Sequence, residues 1–184
     1  MNFNKHFDIE GKHAFLSPSQ YHWLNYSEDK LVDRYQNYKA TERGTRLHAL
    51  AAELITEGIK LPRTSQTLNM YVNDGIGFKM TPEQPLKYSE NCFGTADTII
   101  FKNGLLRIHD LKTGVTPASM KQLEIYAALF CLEYNKKPTQ IEMELRIYQN
   151  DEKFVHVPEK DDIFFIMDKI ISFDKLLMEL KEKE

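Results

Sequence analysis

Between Phe93 and Phe130 two apolar runs are joined by Lys102-Asn103-Gly104. Asn-Gly readily takes the positive φ angles of a type I′ turn, so the spacing predicts a tight antiparallel hairpin. The first run, Phe93-Gly-Thr-Ala-Asp-Thr-Ile-Ile-Phe101, holds Asp97; the second ends in Asp110-Leu-Lys112. Asp97 stands six residues before Asn103, and Asp110 six after Gly104. Pairing the strands sets the two carboxylates nearly opposite, with Cβ atoms about 5 Å apart if they share a face. Carboxylates that close repel unless a cation joins them.

An acidic residue two places before a lysine is common, and this chain has five such pairs. Asp110/Lys112 differs from the other four in its setting. In Leu106-x-Ile108-x-Asp110-x-Lys112, strand alternation puts all four side chains on one face, with His109 on the other. Apolar residues at the start and charges at the end describe a strand running out of a core into a cleft. There Lys112 can reach a phosphate or a water beside the carboxylates. Asp97 is expected to share its face with Ile99 and Phe101.

The rest of the chain frames this hairpin. Ser17-Pro18 has the form of an N-cap and first helical residue, opening a short helix with Tyr21, Trp23 and Leu24. Ser27 begins a helical segment to about Lys39. Thr41 begins another, striped by Leu47, Leu50, Ala51, Leu54 and Ile55 and ended by Gly58. A helix over 65–73 follows, then strands over 84–90, 94–101 and 105–112. Thr116-Pro117 is read as the start of a helix through Tyr134. Strands over 140–149 and 153–157 flank Asn150-Asp151, and an amphipathic helix over 159–181 closes the chain. This order predicts one α/β domain over 1–184 with a central mixed sheet flanked by helices. Its helical N-terminal part spans about 17–78 and its sheet-and-helix part about 84–157.

Composition narrows the function. The chain has 184 residues, 42% hydrophobic and 28% charged, with a formal net charge of −3. A polyanion-binding surface must therefore be local, not global. No run is long enough to span a membrane, and Met1–Asp8 lacks the apolar core of a signal peptide. Cys92 and Cys131 form neither a metal-type pair nor a disulfide framework. A cytoplasmic protein is the expectation.

Three further groups bear on chemistry. His48 falls on a helical face with Gly44, Ala51, Ala52 and Ile55, a setting that suits a core histidine as well as a ligand. The other histidines, at 6, 13, 22, 109 and 156, have no comparable setting. Gln122 and Tyr126, one turn apart, can be aimed by their helix at the Asp-x-Lys cleft. Arg34, Lys39, Arg43 and Arg46 offer phosphate contacts, which position nucleic acid without reading its sequence.

Taken together, these residues resemble the PD-(D/E)xK nuclease superfamily, specifically its RecB-type branch, which includes CRISPR-associated exonucleases; phage exonucleases are more distant relatives. Leu16-Ser-Pro-Ser-Gln-Tyr-His-Trp-Leu24 resembles the opening serine-containing helix. Arg43-Gly-Thr-Arg-Leu-His48 resembles the Gly-x-x-x-His helix. Gly94-Thr-Ala-Asp97, His109-Asp-Leu-Lys-Thr-Gly114 and Gln122-x-x-x-Tyr126 resemble the three motifs that follow. The resemblance implies a restriction-endonuclease-like core and a metal-dependent DNA exonuclease of recombination, repair or phage DNA processing. It implies Mg²⁺ or Mn²⁺ held by His48, Asp97, Asp110 and the Leu111 backbone carbonyl. Lys112 would act on the water or the developing charge, and Gln122 and Tyr126 would position strand or water. DNA is the implied partner, joined by a recombination or single-strand-binding protein. Two cysteines cannot supply the four thiolates of the iron–sulfur cluster common in CRISPR-associated members, so none is expected. The alternatives are an endonuclease of the same fold and a non-catalytic nuclease-fold module that binds DNA or protein.

Overall fold

The computed structural model describes residues 14–182. His6, His13 and the Met1–Asp8 segment examined for a targeting signal lie outside the described residues. The chain divides into two compact units, one ending at Thr45 and one beginning at Arg46.

The first unit holds a 3₁₀ helix, Pro18–Asn25, and the first part of helix α1, Glu28–Glu57. Sequence reading divides α1 near Lys39, but the helix is continuous. Thr41 donates its hydroxyl back to the Asn37 carbonyl (3.0 Å), and Thr45 to that of Thr41 (3.2 Å). Each threonine thus sits inside the helix, where neither serves as a cap. The α1 helix ends where expected. Gly58 has φ +68°, and the Ile59 amide donates to the Leu54 carbonyl, the long bond of a Schellman close.

The second unit is a five-stranded mixed sheet with helices packed on it. Its strands are β1 (Thr81–Ser89), β2 (Cys92–Lys102), β3 (Leu105–Leu111), β4 (Glu142–Gln149) and β5 (Glu152–His156), and its further helices are α2 (Thr67–Phe78), α3 (Lys121–Glu133) and α4 (Lys160–Lys181). Spatial order follows chain order, β1-β2-β3-β4-β5. Only β3–β4 is parallel, and α3 makes that crossover. At the predicted hairpin, Asn103 and Gly104 have φ +52° and +77°, as a type I′ turn requires.

Two boundaries shift furthest from the sequence reading. The α2 helix runs past 73 to Phe78, through Gly75. There an added Cβ would lie 2.8 Å from Ile55 Cδ1, so glycine permits close approach of α1 and α2. At the other site, α3 begins at Lys121 rather than at Thr116-Pro117. Buried Gln149 holds the intervening loop open: its side chain donates to the Gly114 and Thr116 carbonyls and accepts from the Ala118 amide. Those satisfied backbone groups are the ones an earlier helical turn would need.

Each sheet face has its own core. Leu106, Ile108, Met143, Leu145 and Ile147 pack with Leu123, Ala127 and Ile163 of α3 and α4. On the other face, Leu111 and Tyr148 pack with Tyr71 and Val72 of α2 and Ala51 and Ile55 of α1.

Candidate metal centre

The β2–β3 ladder runs from Lys102–Leu105 to Thr98–His109; continued one step, it places Asp97 opposite Asp110. The ladder stops there. The Leu111 amide donates to Asp97 Oδ2 (2.9 Å), so a side chain takes over where the ladder ends. It is therefore the Leu111 amide, facing the carboxylate, that ties this residue to Asp97.

Strict alternation fails at the same place. Ala96 and Ile99, three residues apart, belong to one core cluster. Opposite them the β1 ladder passes from Pro82–Thr98 to Gln84–Ala96, and Glu83 between them has φ +49°. A glutamate in left-handed backbone is uncommon and costs conformational energy. Asp97 consequently does not follow the face of Ile99 and Phe101: its Oδ2 lies 3.3 Å from Nδ1 of His48 on α1.

His48, Glu83 and Asp97 present ligand atoms all within 4.8 Å of one another, the one such group of metal-binding side chains found among the described residues. Glu83 is the residue sequence reasoning missed. Its signal was faint: an acid between Pro82 and Pro85, in a stretch read as lying before the strand. Asp110 stands outside this trio and is held by Lys112, whose Nζ lies 3.0 Å from Oδ1 and 2.9 Å from Oδ2. The contact to Oδ1 is a hydrogen bond, while the buried Oδ2 accepts none. Lys112 also donates to Gln122 Oε1 (2.8 Å), so α3 delivers Gln122 to the Asp-x-Lys pair.

Electrostatics record the crowding. Burial, then the neighbouring Asp97 charge, holds the Asp110 carboxyl above its ordinary range, against the opposing pull of Lys112. Burial and Asp97 also raise Glu83. His48 is raised first by its hydrogen bond to Asp97, with further help from the charges of Asp97, Asp110 and Glu83. Tyr71 of α2 is pushed well up by burial and by the same carboxylates, which places it beside the group.

Other expected residues are distributed differently. Tyr126 turns to β2: its hydroxyl donates to the Thr95 carbonyl (2.7 Å) and its ring covers Gly94, where an added Cβ would meet Cε1 at 3.0 Å. Tyr126 fixes the strand that carries Asp97, and its hydrogen bond is with the backbone rather than with Gln122. Helical rotation of about 100° per residue aligns Lys39 with Arg43 on one stripe of α1 and puts Arg34 on another. Arg46 and His48, two apart, point to nearly opposite sides. Lys39 bridges Glu42 (3.0 Å), and Arg34 lies over the Tyr26 ring (6.0 Å to its centre).

A family model described as "Protein of unknown function (DUF2800)" matches residues 81–155, the span containing Glu83, Asp97, Asp110, Lys112 and Gln122. No curated protein and no solved structure matches the chain. Among the described residues, no helix is long and apolar enough to cross a membrane.

Proposed function

We propose that the chain is a divalent-metal-dependent deoxyribonuclease with a restriction-endonuclease-like core, acting as an exonuclease from DNA ends. The observation that carries this reading is the joining of two half-sites through Asp97. One half is the His48–Glu83–Asp97 trio; the other is Asp110 with Lys112 and Gln122. The mixed sheet, with its acidic seam where the β2–β3 ladder stops, supports the core assignment.

The residues fit a hard divalent cation. Three carboxylates and one imidazole suit Mg²⁺ or Mn²⁺, the imidazole favouring Mn²⁺. Asp110 Oδ2 is buried with only the Lys112 ammonium beside it, at 2.9 Å, and burial together with the Asp97 charge raises the proton affinities of Asp110 and Glu83. Three carboxylates share one ammonium and one imidazole, so the group is short of positive charge. His48, Glu83, Asp97 and Asp110 would hold the ion, with the Leu111 carbonyl as a further oxygen donor. Bound there, it supplies Lewis acidity toward a phosphate oxygen and lowers the pKa of a water.

The chain's own groups divide the remaining work. Lys112 is anchored by Asp110 and Gln122, and its ammonium is aimed at charge that develops on the phosphate as the bond breaks. Gln122 limits the swing of Lys112 and orients an attacking water or the strand. Tyr126 and the Leu111 amide keep Asp97 in register. The deciding experiment compares end-labelled linear DNA with covalently closed circles, with and without Mn²⁺. Linear DNA is expected to shorten from an end only with metal, while closed circles survive. Linearisation of circles would move the assignment to an endonuclease. Failure to cut either form with Mg²⁺ or Mn²⁺ would leave a non-catalytic module.

A further inference from the structure

Aromatic rings gather in the first unit, on residues that the metal chemistry does not use. Phe15 meets Tyr35 edge-on at 5.3 Å and Tyr38 at 5.4 Å between centres. The Lys30 ammonium lies 4.7 Å above the Tyr26 ring, with the Arg34 guanidinium farther out over the same ring. Trp23, the only tryptophan in the chain, is pinned by its indole N–H to the Ser17 carbonyl at 2.9 Å. Phe15, Trp23, Tyr26, Arg34, Asn37 and Tyr38 help to line a cavity of about 460 Å³, with no carboxylate among its described lining residues. Tyr38 remains 44% exposed, so ring surface is left open to a ligand.

Rings, one imidazole, one guanidinium and amide groups, with no acid among the described lining residues, select a ligand with a flat π system and a negative charge. A nucleotide in a single strand has both. In a duplex the base faces are already stacked on one another, so only unpaired bases can use the rings. Arg34 fits a phosphate, and the Asn37 and Gln20 amides can reach base edges without selecting one base.

We propose that this cavity binds unpaired nucleotides of single-stranded DNA, which would make it the place where a frayed or single-stranded end is held. The choice of DNA rests on the nuclease reading; the cavity's preference for an anionic aromatic ligand stands on its own lining.

Trp23 gives a private reporter. Full-length protein in chelator, where no metal-dependent cleavage proceeds, is titrated with short oligothymidylate while tryptophan fluorescence is followed. Saturable quenching is expected. Thymidine monophosphate should bind far more weakly, and a closed duplex dumbbell should not compete. Arg34→Gln and Tyr38→Ala should each weaken binding about tenfold, and added salt should weaken the native protein more than Arg34→Gln. If Tyr38→Ala fails to fold, Arg34→Gln carries the test, because its exposed position on α1 spares the packing. Absence of quenching, quenching indifferent to Arg34→Gln, or equal competition by the dumbbell overturns the proposal. Cleavage is scored separately with Mn²⁺. Binding without cleavage leaves this site standing and removes the nuclease reading; cleavage without binding does the reverse.

Discussion

His109 and Asp110 are consecutive, both buried, and lie on opposite faces of β3. On the His109 face two acids are paired with three bases. Asp74 receives Tyr148 (2.6 Å), Lys153 (3.0 Å) and Arg146 (3.1 Å). Glu144 takes Arg107 and Arg146, and both guanidiniums lie over the Phe78 ring. Tyr148 approaches His109 Nδ1 at 3.3 Å, and burial, aided by Arg146, holds the imidazole neutral with its pKa lowered to about 3. Around Asp110 the balance is the reverse: Asp97, Glu83 and Asp110 gather with one lysine and one histidine. The first face pairs these charges within the chain, although His109 Nε2 is buried without a hydrogen-bond partner. The second holds more acid than base and would be balanced by a cation, and that contrast is the structural argument for the proposed function.

The sharpest way to break the contrast is Asp110→Asn. It should lower cleavage on the order of a thousandfold or more, since the metal's several kcal/mol of charge stabilisation depend on the carboxylate. The metal-free variant should melt no lower than the native protein, because the change removes a crowded charge. Undiminished cleavage in purified Asp110→Asn would end the assignment. Lys112→Ala separates chemistry from metal binding. Turnover should fall by roughly a hundredfold or more while calorimetry still detects Mn²⁺. Collapse of metal binding would make the lysine a structural group instead.

Next in size are His48→Ala and Glu83→Gln. Each should weaken Mn²⁺ binding more than about tenfold with little change in metal-free melting temperature. A histidine that serves only the core would instead lose stability and leave cleavage of the folded fraction unchanged. Gln149→Ala probes the loop between Lys112 and Gln122. Its three hydrogen bonds fix the path of that segment. Loosening it should cut kcat by roughly tenfold with Mn²⁺ affinity preserved.

The sequence exposed the half of the site that obeys periodicity. Asn103-Gly104 set the hairpin, and alternation put His109 behind Asp110; the structure has both, and its β2–β3 ladder ends at Thr98–His109, one step short of Asp97 and Asp110. Glu83 escaped because its role depends on a backbone irregularity. A positive φ at Glu83 and broken alternation between Ala96 and Ile99 bring it to His48, and neither has a sequence signature in a non-glycine residue. Gln149 escaped because a buried amide organising a distant loop looks, in one dimension, like any strand-end glutamine. The continuity of α1 was hidden by Thr41, whose cap-like identity is the same whether its hydroxyl bonds forward to an amide or back to a carbonyl.

The smallest effect is also the most direct reading of the two faces, because they titrate in opposite senses. His109 has a folded pKa of about 3 against an unfolded value near 6.5. Between those limits the unfolded chain binds more protons, so this group makes metal-free stability fall as pH falls. Asp74 acts alike at lower pH. Its carboxyl is buried, yet the bonds from Tyr148 and Lys153 bring it below its ordinary range, so its contribution is lost as pH drops through the folded pKa. Asp110 works the other way. Its folded pKa is raised, so the folded state takes up the proton first, and acidification through that window adds stability. His48, raised by Asp97, likewise contributes stability at low pH that is lost as pH rises through its folded pKa. Urea unfolding in chelator across the acid range, compared among native protein, Asp110→Asn and His109→Gln, isolates the two. Asp110→Asn should lose stability more steeply on acidification than the native protein, and His109→Gln less steeply, each by less than one proton's slope. A shift in the same direction for both would mean that the faces are not opposed, and that the crowding around Asp110 is relieved within the chain without a cation.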